Sequence, residues 1–171
     1  MSLADNYTME FRVVPARTKF EDVEELLSRM KEVSERRKAV IQAFDPDMVL
    51  SENHLIFSAH HAFKAFAEGK AIAKKLESEL LLWAAATRRI EEAVKKVGVK
   101  DAGKVVFLIQ KGKENKVTRD LGAEPDEKLL KMSREKASRI THSFGINKKA
   151  CECYPLEELL LEKIAMLALE R

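Results

Sequence analysis

Of 171 residues only two are cysteine, six glycine and four proline, and no charge sign dominates: 31 Lys and Arg face 28 Asp and Glu. Each shortage excludes something. Two cysteines, Cys151 and Cys153, cannot make a disulfide framework, and their spacing is too close for an ordinary bridge, so a reducing, cytoplasmic setting is expected. Few glycines leave no phosphate-cradling loop: there is no Walker loop, no glycine-rich dinucleotide turn and no kinase signature. The longest apolar run, Leu80 to Ala86, is seven residues, far short of the ~20 needed to cross a bilayer. No signal-peptide pattern opens the chain, and no membrane partner is expected. A net charge of +3 permits a nucleic-acid partner without demanding one, so any basic site must come from local clustering.

What is present is a chain that is 46% hydrophobic and 35% charged, enough for one domain with a real core. Met1 to Leu3 read as a remnant of cloning, and the domain as residues 4–171. Met9 to Val14 alternates as a half-buried strand that Pro15 should end. Thr18 with Glu21 reads as a capping box, before a helix from Val23 to about Arg37. Ala39 to Phe44 reads as a second strand, and Asp45 to Asp47 as a turn. His54 to Ser58 is strand or helix entry, Ala59 to Ala67 is helix, and Gly69 breaks it. Lys70 to Val97 reads as helix with a break near Glu77–Ser78, because a single helix so long is uncommon in a small domain. Val105 to Ile109 is an apolar, β-branched run of the kind buried on both faces of a sheet. Lys111 to Asp120 reads as a polar loop, Asp126 to His142 as one or two helices, and Gly145 to Cys153 as a connector. Pro155 opens a last helix whose main face is Leu156, Leu160, Ile164 and Leu167. The expected fold is α+β: a small antiparallel or mixed sheet packed with several helices.

Chemistry is sparse. His54, His60 and His61 do not converge at metal-ligand spacing, and Cys151-Glu152-Cys153 lacks a second pair, so no metal, cofactor or catalytic residue is expected. A small metal-dependent enzyme using His60, His61, Cys151 and Cys153 is the weaker class. Basic residues do cluster. Arg134 to Lys149 holds five positive charges and one negative; Lys111, Lys113, Lys116 and Arg119 share a loop; Lys70, Lys74 and Lys75 precede Arg88-Arg89. Such clusters are usually solvated surface, but several on a chain of low net charge point to charge segregation and salt-sensitive phosphate contacts. Phe63, Phe66, Trp83 and Tyr154 could stack a base, although residues at such spacing more often face a core.

An ordered series of residues carries a resemblance. It runs His54 to His60, Ala65, Gly69-Lys70, Glu79-Leu80-Leu81, a small-residue run into Arg88-x-Ile90, Ala93-Val94 and Gly98-Val99. The series resembles the PRPK-binding-protein family of KEOPS/EKC complex subunits. The family usually has glycine where Ala86 stands and glutamine where Arg89 stands. The resemblance implies a non-catalytic subunit that binds the small atypical kinase of the complex and meets its other subunits indirectly. It also implies recruitment of tRNA by the 3′ CCA end for threonylcarbamoyl-adenosine (t6A) modification, the chemistry residing in a separate transferase. On that basis Arg88, Arg89, Lys64 and His60, and then Lys148 and Lys149, are expected to meet RNA. Leu160, Ile164 and Leu167 are expected at the kinase face. A structural kinase-binding module without RNA contact is the alternative.

Overall fold

The computed structural model describes residues 9–170; residues 1–3 lie outside that range. Four strands form one antiparallel sheet in the order β2-β3-β1-β4: β1 Phe11–Arg17, β2 Ile41–Phe44, β3 Lys104–Gln110 and β4 Glu124–Pro125. Eight α-helices lie among the described residues. They are α1 Val23–Arg37, α2 Glu52–Ala67, α3 Leu76–Ala85, α4 Ile90–Val97, α5 Glu114–Asp120, α6 Arg134–Ser143, α7 Ala150–Cys153 and α8 Leu156–Met166. The fold is α+β.

The period of β3 organises the packing. Side chains alternate along a strand, so Val106 and Leu108 join one buried cluster while Val105, Phe107 and Ile109 join another. The first cluster takes in α2, α3, α4, α6 and α8; the second takes Leu26, Met30 and Val33 of α1 and Val117 of α5. The expectation of a central strand covered on both faces holds.

Several local expectations change. Pro15 does not end β1. Its carbonyl accepts from Asp126 N at 2.8 Å, and a strand residue turns its N and O to the same side. The missing N–H therefore faces β4, not the ladder to β3. Thr18 caps no helix: its hydroxyl donates to Ala102 O at 2.6 Å, and Asp22 caps α1 by accepting from Glu24 N. The two pieces expected over 54–67 are one helix capped by Ser51. Lys111 to Asp120 is not all loop, since it contains α5. Pro155 precedes the first turn of α8 instead of occupying it.

The largest change lies between α3 and α4. Residues 70–75 precede α3, and the helix breaks at Ala86–Arg89, not near residue 77. Ala86 adopts left-handed φ 52° as the C-cap of α3. Thr87 N reaches back to Leu82 O at 3.1 Å, which satisfies a carbonyl at the helix end. Lys96 closes the same end, its ammonium donating to Ala85 O at 2.9 Å while lying 4.8 Å from the Phe144 ring centroid.

Candidate functional site: a cationic recess over a fixed aromatic floor

Helix α2 sets the first wall. Ser51 accepts from His54 N, and His54 is wholly buried. Leu50 N donates to His54 Nδ1 at 3.2 Å, which leaves Nε2 to donate to Ala84 O at 2.9 Å. That pairing fixes the neutral tautomer and ties α2 to α3. Burial holds this histidine down to about 4. Both ring nitrogens are used, so His54 is a packing residue.

Two turns further along α2, His61 lies flat on Trp83 of α3, with ring centroids 4.8 Å apart and planes 12° apart, while Phe57 meets His61 edge-on at 4.7 Å. Desolvation lowers the His61 pKa, and Lys64 and His60 add to the effect. These surroundings favour the neutral form of the His61 ring. Trp83 is fixed from below. Its Nε1 donates to Glu79 Oε1 at 2.9 Å, and Glu79 Oε2 accepts from Ile72 N at 2.9 Å and Ala73 N at 2.7 Å. Glu79 is fully buried. One carboxylate thus pins the 70–75 segment to α3 and sets the indole angle.

Above this floor is a recess of about 540 Å³. Lys64 from α2, Lys70 from the following segment and Arg88 from the turn after α3 stand around it, with Glu68 and Glu170 also on its lining. Arg88 donates to Glu170 O at 2.7 Å, and Lys70 pairs with Glu68 at 3.2 Å. Lys64 has no ion pair among the described residues and is exposed. Cations around an aromatic plate suit a ligand that carries both phosphate and a flat ring.

Of the residues expected at an RNA site, the structure brings Lys64 and Arg88 together. His60 is exposed beside them but does not line the recess. Arg89 caps α4 and lines a separate shallow depression with Ile90, Glu91, Glu92 and Lys95. Lys148 and Lys149 are exposed in the turn before α7, outside the recess. Reasoning from sequence passed over His61, except as a metal ligand, and gave Glu79 no role. The Glu79-to-Trp83 spacing, i to i+4 on one helix face, was the available signal.

The expected partner residues need correction. Leu160 and Ile164 are fully buried and Leu167 is 2% exposed, all within the core against α2 and α3. They cannot form a docking face in this fold. Apolar side chains that do reach solvent are Leu27 on α1, Ile90 and Val94 on α4, Met132, Tyr154, Met166 at the end of α8 and Leu169 in the turn after it. Cys151 is half-buried and Cys153 exposed, and among the described residues no three His, Cys, Asp or Glu side chains are grouped to hold a metal. No helix of the described residues is long and apolar enough to cross a membrane.

The α+β scaffold offers a cationic, aromatic-floored recess on its surface and, elsewhere, several exposed apolar side chains, features suited to binding partners. Residues 20–168 match the family described as kinase binding protein CGI-121, and the chain belongs to that family. It is also similar to the regulatory protein Cgi121 of Methanocaldococcus jannaschii, at 28% identity over 130 residues that cover 76% of this chain and 84% of the relative.

Proposed function

We propose that this protein is a non-catalytic, kinase-binding regulatory subunit that also receives the 3′ CCA end of tRNA for t6A modification. The family description and the relative's name support the regulatory and kinase-binding half. The observation that carries the RNA half is the recess itself: Lys64 and Arg88 stand beside a His61–Trp83 stack. A single-stranded end has splayed bases and spaced phosphates, and such ends are read by stacking plus cations. The kinase face is assigned to the exposed apolar side chains Ile90, Val94, Met166 and Leu169. Other subunits of the complex are met through the kinase.

The test is salt-titrated binding of intact tRNA and of tRNA lacking CCA, with and without the kinase subunit. Removing CCA is expected to weaken binding by more than the loss of a few phosphates. Arg88→Glu with Lys64→Glu is expected to weaken intact tRNA roughly tenfold or more, and Arg89→Glu to do less, since only the first pair lines the recess. Equal weak binding of both tRNAs, alone and with the kinase, would remove the RNA half and leave the kinase-binding module.

A further inference from the structure

A second recess, of about 490 Å³, shares no lining residue with the first. It opens at the Arg17–Lys104 end of the β1–β3 ladder, away from the end where Glu10 meets Lys111. The 45–47 turn, the 100–104 segment and the stretch from Lys128 into α6 enclose it. Seven Lys and Arg side chains line it against four Asp and Glu. That local excess matches the formal net charge of the entire chain.

Most of these charges are already engaged. Lys100 pairs with Asp45 at 3.3 Å, Arg139 with Asp47 at 3.7 Å, Lys104 with Asp101 at 3.8 Å, and Arg17 is held by Asp126 at 2.7 Å. Lys128, Lys131 and Lys136 form no ion pair among the described residues. Lys136 is the telling one. It shares its α6 face with Ile140, is 5% exposed, and its Nζ is buried without a hydrogen-bond partner. Buried ammonium groups normally meet an acceptor, because water that would otherwise solvate them has been removed. Asp47 and Asp45 attract it without a hydrogen bond, and Glu135, also on the recess lining, makes no ion pair among the described residues. Asp45 accepts from Asp47 N and from Lys100, and Asp47 is drawn toward Arg139. The first turn of the ten-residue helix α6 adds a dipole that also favours an anion.

We propose that this recess is a phosphate-binding site, with Lys136 as its buried anchor and Lys128 and Lys131 as its exposed rim. Phosphate is favoured over carboxylate by the donors left over. Three ammonium groups without an ion pair suit a ligand of two or more negative charges, as a phosphate carries and a single carboxylate does not, and lysine is a regular phosphate ligand as a compact point charge. The site stands independently of the CCA reading, since no residue is common to both recesses. The phosphate belongs either to a free nucleotide or polyphosphate, or to an RNA backbone segment remote from the 3′ end.

The experiment titrates the purified full chain with pyrophosphate at constant ionic strength, following amide chemical shifts and heat. Glutamate at the same concentration is the carboxylate control. Saturable binding with Kd below about 1 mM is expected, with shifts concentrated in residues 128–139. Lys136→Met should weaken it roughly tenfold. Lys128→Ala with Lys131→Ala, at exposed positions that leave the core untouched, should weaken it comparably. An oligouridylate without CCA then separates the sources. Competition that depends on Lys136 assigns the site to RNA backbone, and none assigns it to a small phosphate compound. No saturation with pyrophosphate, equal response to glutamate, or unchanged affinity in both variants overturns the proposal. Loss of CCA recognition with pyrophosphate binding intact would refute only the first recess, and the reverse result only the second.

Discussion

At the floor of the first recess Glu79 accepts from three N–H groups and fixes Trp83, and beside it His54 uses both ring nitrogens. At the wall of the second recess the Lys136 ammonium is just as covered and meets nothing. Both arrangements leave strongly polar side-chain atoms with almost no exposed surface. Only the first answers them from within the chain. A buried group that is fully hydrogen-bonded holds the scaffold in one geometry; a buried group left unanswered marks where the protein expects something from outside.

The comparison can be broken at its strongest point first. Glu79→Ala strands the buried Trp83 Nε1–H and leaves two part-buried backbone N–H groups without their acceptor, and should cost about 3 kcal/mol. A urea denaturation midpoint close to that of the parent protein would show that the floor is not fixed this way. His54 comes next, through pH. The folded state holds its pKa at about 4, whereas an unfolded chain titrates histidine near the ordinary value of about 6.5. Between those values the unfolded state binds a proton that the folded state refuses. The histidine's contribution to stability therefore falls as pH drops from about 6.5 toward about 4 and levels off below, for a loss of roughly 3 kcal/mol. Denaturation at about pH 7 and about pH 4.5 measures it. The same pair of curves on His54→Gln isolates the histidine part from the carboxylates.

Lys136→Met should move stability the other way. Replacing an unanswered ammonium by a thioether of similar length removes a desolvation cost, and a gain of about 1 kcal/mol is expected in the absence of ligand. A loss instead would mean that Lys136 supports the scaffold as Glu79 does, and the contrast between the recesses would fail. The smallest effect belongs to Ala86→Gly. Left-handed backbone disfavours a Cβ, so glycine should stabilise the α3 C-cap by about 0.5–1 kcal/mol. A scanning-calorimetry shift of a few degrees upward checks it.

What was legible in the sequence follows from how local the cause is. Val105 to Ile109 announced a doubly covered strand because five apolar residues in a row, three of them β-branched, suit a strand buried on both faces. The α1 helix was legible from its 3.6-residue stripe. The break at Ala86 was not. Alanine is the best helix former, and what ends α3 there is a backbone reversal secured by Thr87 N and Lys96. Helix α5 escaped notice because Val117 is its one buried side chain, too little for an apolar stripe. In the site, Lys64 and Arg88 could be named as cations, but their 24-residue separation hid that they share a recess. Arg89, adjacent in sequence, turns elsewhere once the chain reverses at Ala86. Leu160, Ile164 and Leu167 were offered to a partner on the strength of an apolar stripe that the domain itself consumes. Lys136 looked like one more surface charge. Its spacing of four from Ile140 and eight from Phe144, all three buried, was the sign that it faces inward.

Pro15 leaves one more consequence. Because its carbonyl is taken by Asp126 on the side away from β3, the main-chain groups of Phe11, Val13 and Pro15 all turn toward that outer flank, where β4 pairs only with Ala16 and Arg17. One of the three offers no N–H at all. The remaining run is too brief and too interrupted to template an incoming strand. β2, on the opposite flank, spans only four residues. Another chain cannot easily be stitched onto this sheet, so aggregation by strand addition is discouraged, and recognition through side chains is favoured over main-chain pairing.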